Sequence, residues 1–124
     1  MKRESKHLFK AKSALTHEWV KGYPVPDSHC TRFYVWDDVH KRMEIVTVDS
    51  KTLCQYIGII DDSDAEIFTN DICKIQTFCD EWFGMIQEEK YQFVIKCHEK
   101  RIVIDELFSS KNVINIRVMG NHLD

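Results

Sequence analysis

Apolar and polar positions alternate along most of this chain, with the two-residue period of half-buried strands. Residues 8–12 interleave apolar with basic side chains, as an edge strand does, and residues 13–17 read as a turn. Trp19, Val20, Tyr23 and Val25 follow with β-prone chemistry. Pro24 and Pro26 are expected to end regular pairing there, because neither can donate to a ladder. Residues 32–36 form the strongest strand signal, with Phe33 and Val35 on one face and Tyr34 and Trp36 on the other. The polar stretch 37–42 predicts a hairpin loop, 43–48 the returning strand, and 49–52 a further turn. Residues 53–60 are short, apolar and interrupted by Gly58.

Asp61, Asp62, Asp64, Glu66 and Asp71 then place five acids within eleven residues, with Ile67 and Phe68 as a small apolar anchor among them. This stretch is expected to be a solvated connection between two halves. From Asp71 onward the pattern predicts five closely spaced strands: 72–78, 82–87, 91–97, 101–104 and 113–118. Glu88-Glu89-Lys90 is the expected turn between the second and third of them. Residues 105–112 have room for one helical turn, with Asp105 as its N-cap. Short strands joined by turns, with no sustained 3.6-residue period, define a mainly β protein and suggest a small barrel or sandwich.

Composition narrows the functional classes. At 124 residues the chain is one ordinary domain, or two very small ones. Apolar residues make up 44% and charged residues 30%, which is globular, and a net charge of −3 leaves no chain-wide footprint for nucleic acid. The basic tip (Lys2, Arg3, Lys6, Lys10 and Lys12 against Glu4) is expected to be a solvated, frayed terminus. Cys30, Cys54, Cys73, Cys79 and Cys97 form an odd set with no C-x-x-C pair, and no apolar leader precedes them. They read as reduced, mostly buried thiols of a soluble cytoplasmic protein, with no membrane segment expected.

Two blocks of residues carry a family resemblance. The first is Glu18-Trp19-Val20-Lys21-Gly22-Tyr23; the second runs through Gln55-Tyr56-Ile57-Gly58 and continues after the acidic turn into Asn70-Asp71-Ile72. A closing Val118-Met119-Gly120-Asn121 completes the order over roughly residues 8–122. In these blocks the chain resembles the YopX family of phage-associated proteins, as a divergent member. Asn70 stands where that family prefers Gly, so a backbone with positive φ is expected there, since Asn is the next most tolerant residue. The resemblance implies an N-terminal β subdomain, residues 1–66, packed on a C-terminal SH3-like small barrel, residues 67–124. It implies a phage or prophage setting and supplies no catalytic residue. Glu18, Trp19, Gly22, Tyr23, Gln55, Tyr56, Gly58, Asn70, Asp71 and Gly120 are its motif positions, read as structural.

Other constellations fall short of a site. Asp62-x-Asp64-x-Glu66 has the alternate spacing of a calcium loop, but its sixth position is Ile67 in place of Gly and its twelfth Cys73 in place of Glu. His29-Cys30 and Cys97-His98 are adjacent pairs, poor geometry for one tetrahedral zinc, and Cys73 and Cys79 are too far apart for a knuckle. Neither a Gly-x-Ser-x-Gly elbow nor a phosphate-cradling glycine loop is present. The expectation is therefore no catalytic residue, no cofactor and no metal. The function expected is a non-catalytic protein-interaction or self-assembly module, with a protein partner or further copies of itself. The alternative is nucleic-acid binding through the basic N-terminal arm and the aromatic strand of residues 32–36. A wider aromatic set, Trp19, Tyr23, Phe33, Tyr34, Trp36 and Tyr56, has the chemistry of a stacking surface. Asp37, Asp38 and Glu44 offset Arg32, Lys41 and Arg42 nearby, however, and packing is its expected use.

Overall fold

The computed structural model describes the backbone of residues 2–3 and, in full, residues 6–26, 31–98 and 100–124. It is mainly β, with two antiparallel sheets. Twelve strands follow in chain order: β1 Lys2–Arg3, β2 Phe9–Lys12, β3 Trp19–Pro24, β4 Arg32–Asp37, β5 Arg42–Thr47, β6 Cys54–Ile60, β7 Glu66–Phe68, β8 Asp71–Thr77, β9 Glu81–Glu89, β10 Gln92–Cys97, β11 Lys100–Val103 and β12 Val113–Asn121. A 3-10 turn spans Ser50–Thr52, and one short helix, α1, spans Ile104–Ser109. The chain divides into two compact units. One is Lys6–Tyr56; the other is Ile57–Asp124 together with β1. The acidic stretch thus belongs to the second unit, as do Ile57 and Ile59, which lie in that unit's core.

In the first unit the pairing order is β6 (through Cys54 and Gln55), β2, β3, β4, β5, antiparallel throughout. Its core is small: Ala11, Phe33 and Val48, with Phe9, Val20, Val35 and Val46 against them. Phe33 and Val35 point into this core while Tyr34 and Trp36 stand outside it, as the alternation predicts. Pro24 does not end pairing. It lies opposite Phe33, and Val25 N–H beyond it donates to Arg32 O at 2.8 Å. Alternate residues of a strand address opposite neighbours, so the bond that proline cannot make is not one that β4 requires at that point.

Gly22 sits where β3 passes from β2 to β4. A Cβ there would lie 2.5 Å from Tyr34 O and 3.0 Å from Phe33 Cβ, so only glycine permits this approach.

The second unit contains a five-stranded sheet in the order β11, β10, β9, β8, β12, with α1 between its last two strands in sequence. Ile57, Ile59, Ile67, Cys73, Ile75, Ile86, Ile95, Ile104, Leu107 and Ile116 form its core. Three expectations are corrected here. The basic tip is not frayed at Lys2 and Arg3, whose backbone pairs antiparallel with Ile60 and Ile59. The β9–β10 turn is Lys90-Tyr91, with φ of 48° and 68°, and Glu88 and Glu89 remain in strand. Two left-handed residues give the twist that a two-residue hairpin needs, and a side-chain pattern does not reveal which pair supplies it. Finally, Val103 and not Asp105 is the N-cap of α1, with no side-chain cap; Asp105 lies in the first turn, where its charge suits the positive end of the helix.

Candidate functional site

The acidic turn, too, departs from what the sequence predicts. Asp62, Ser63 and Asp64 are exposed, as a solvated turn requires, but the stretch lies inside the second unit and does not connect two halves. Asp61 is buried, and its Oδ1 accepts from Ser63 N–H at 2.8 Å and Ala65 N–H at 2.9 Å. Its Oδ2 accepts from Val118 N–H at 2.8 Å, while Asp62 Oδ2 accepts from Ile116 N–H at 2.8 Å. Two neighbouring carboxylates therefore take the backbone donors along the outer side of β12. Ile67 and Phe68 are buried as expected. With Asp62 spent on Ile116, the calcium-like spacing serves sheet closure.

The motif positions fall into two groups. Asn70 has φ of 69°, matching the backbone expected where the family prefers Gly, and its N–H donates to Ile86 O at 2.8 Å. Buried Asp71 accepts from Phe68 N–H at 2.8 Å and from Asn121 Nδ2 at 2.9 Å. Asn121 Nδ2 also reaches Thr69 O at 3.3 Å, and His122 N–H donates to Asn70 O at 2.8 Å. Asn70 and Asp71 are thus brought together with the Gly120-Asn121 block, and β12 is tied beside β8 at this end. Gly58 has φ of 86°, whereas a Cβ at Gly120 would meet only ordinary contact.

In the other unit, Tyr56 is buried, Gln55 and Trp19 are half-buried, and Glu18 and Tyr23 are exposed. Lys10 and Lys12 stand over the Trp19 ring at 4.6 Å and 5.5 Å from its centroid.

The aromatic set does not converge as a whole: Phe33 and Tyr56 are core residues. Tyr23, Tyr34 and Trp36 do share a face, and two residues that the sequence reading passed over join them. Tyr23 lies opposite Tyr34, Tyr34 opposite Ile45, and Trp36 opposite Met43. All five are between 38% and 54% exposed. The result is an apolar surface across β3, β4 and β5, and β5 is the edge of that sheet. Alternation alone places these residues on one face, but which face is covered depends on partners distant in sequence.

The backbone of that edge is also open. Val48 N–H donates to Thr31 O on the β4 side at 3.0 Å, whereas Thr47 O turns away from β4 and accepts from Ala14 N–H at 3.0 Å. By alternation, the N–H and C=O groups of Ile45 and Met43 face the same outward way, with no partner there among the described residues. Beside them Ser13, Ala14, Leu15, Ile45, Val46 and Thr47 line a groove of about 460 Å³.

Next to this edge, Asp37, His40 and Glu44 bring one donor atom each within 4.8 Å of one another, the one such cluster among the described residues. Their own bonds account for them. Asp37 Oδ2 contacts His40 Nδ1 at 2.6 Å, and Asp37 Oδ1 accepts from Val39 and His40 N–H. The His40 ring and backbone beside Asp37 hold its carboxyl below the ordinary 3.8. Of the cysteines, Cys54 and Cys73 are buried, Cys97 is half-buried and Cys79 is exposed. Burial, with Asp71 and Asp61 close by, pushes the Cys73 thiol up. His29 and Cys30 lie outside the described residues.

Fold and surface together define a mainly β protein with one sheet edge closed by carboxylates and another left open beneath an aromatic face. The YopX protein family profile matches residues 9–123, nearly the whole chain, and the protein belongs to the YopX family. No curated protein and no solved structure matches it. No helix among the described residues is long and apolar enough to cross a membrane.

Proposed function

We propose that this protein is a non-catalytic interaction module of a phage- or prophage-associated family, acting in the bacterial cytoplasm, and that it binds another protein chain through the β3–β4–β5 face. The observation that carries this reading is the row Tyr23, Tyr34 and Ile45 with Trp36 and Met43, aromatic and apolar side chains exposed beside an open strand edge. Aromatic anchors of this kind supply most of the energy at interfaces, and free edges recruit strands. The order of the five strands, with β12 returning beside β8, supports reading the C-terminal unit as an SH3-like barrel. Cys73 is a poor nucleophile here, because its thiol is held protonated.

The test is light scattering behind size exclusion, across a salt series, with a pull-down from phage-infected cells. The expected result is a salt-resistant oligomer or a captured protein, lost in Trp36→Ser at a cost of about 2 kcal/mol of binding. A monomer that captures nothing, or capture unaffected by Trp36→Ser, refutes the reading. Nucleic-acid binding stands as the second reading because Lys10 and Lys12 overlie Trp19. It requires a gel shift that weakens steeply with salt.

A further inference from the structure

A second surface lies on the five-stranded sheet and is unrelated to the β5 edge. Lys74 and Gln76 of β8 and Asn115 and Arg117 of β12 line a pocket of about 120 Å³. The register sets Lys74 directly opposite Arg117 and Gln76 opposite Asn115. Ile75 and Ile116, the residues between them, point into the core, so all four polar side chains stand on the outer face.

This arrangement is unfavourable by itself. Like charges directly opposite in an antiparallel pair repel. Lys74 has partial relief from Glu81, whose Oε2 lies 3.3 Å from its Nζ. Arg117 has no ion pair among the described residues. In addition, Asn115 Oδ1 is buried with no hydrogen-bond partner. Asn115 and Gln76 both line the pocket, and their side-chain amides carry N–H donors on this face. Two cations, two side-chain amides and a small cavity form a site with the donors and charge that an oxyanion needs, and a bound anion would remove the Lys74–Arg117 repulsion.

We infer that this pocket binds a small oxyanion, of the phosphate or carboxylate class, between Lys74 and Arg117. Arg117 is the principal ligand, its fork suited to two parallel bonds to one anion. Gln76 and Asn115 donate from the next cross-strand pair. Glu81 competes for Lys74, which keeps affinity modest.

Nitrogen-15 correlation spectra of the wild-type protein, titrated with inorganic phosphate and separately with acetate at constant ionic strength, test the inference. The expected result is saturable shifts of the Gln76 and Asn115 side-chain amides and of Arg117 Nε. Shifts with phosphate alone identify a phosphoryl group, and shifts with both identify oxyanions in general. Arg117→Gln should weaken binding about tenfold, a charge-assisted contact's worth, and Arg117→Lys should recover part of it. Thermal unfolding gives an independent readout. Phosphate should raise the wild-type midpoint but not that of Arg117→Gln, whose midpoint without anion should equal or exceed wild type, because a repulsion has gone. Unsaturable shifts spread over all surface lysines, or binding and stabilisation retained in Arg117→Gln, overturn the inference.

Discussion

The two units treat their sheet edges in opposite ways. On β12, the outward N–H groups of Ile116 and Val118 are each taken by a carboxylate, from Asp62 and Asp61. On β5, Met43 and Ile45 direct their backbone outward with no such partner among the described residues, and the side chains around them are apolar. An edge that must stay closed is closed by side chains brought from another part of the chain, and an edge without that closure is available to another strand. The same protein thus shows protection and exposure, and the difference rests on two aspartates.

Removing the protection should have the largest effect. Asp61→Ala strands three backbone donors beside a buried site and should destabilise the fold by about 3 kcal/mol in urea unfolding. Asp62→Ala, at an exposed position that caps the Ile116 N–H, should lose about 1 kcal/mol. If the two variants cost the same, Asp61 is not the principal clamp. Closing the open edge should do the reverse. Ile45→Lys places a charge on a half-exposed edge position and should change stability by less than about 0.5 kcal/mol while abolishing association through β5. Retained association in that variant would place the contact elsewhere.

The smallest effect concerns the far edge of the C-terminal sheet, β11, which is fenced by charge. Glu89 on β9 bonds Lys96 and, at 2.6 Å, Arg101, and these two cations hold its carboxyl below the ordinary 4.5. A depressed carboxylate contributes stability above its unfolded pKa and loses it as pH falls through the lower folded value. The midpoint difference between wild type and Glu89→Gln should therefore be present at pH 7 and vanish as pH falls below about 4.5. A difference that persists in acid would assign the effect to packing.

The strands were legible in the sequence because a two-residue period survives whatever the chain packs against; residues 32–36 are the clearest case. Asn70 was legible because few residues tolerate its φ. The aspartate clamp was not, since its donors lie 54 and 57 residues downstream and no local pattern marks them. Nor was the open face complete, because Met43 and Ile45 resemble ordinary core residues until the side that is covered is known. Turn and cap positions were misplaced by a few residues at Lys90-Tyr91 and Val103, where backbone geometry and not side-chain chemistry decides.

That Lys90-Tyr91 turn has a further consequence. Both residues are left-handed, a conformation costing a non-glycine residue roughly 1 kcal/mol each, and Tyr91 is wholly exposed. Asn-Gly would satisfy the same geometry with less strain. This chain leaves that stability unclaimed, as proteins held only above a threshold do, and the exposed hairpin tip is a place where directed evolution can recover it at little cost to the rest of the molecule.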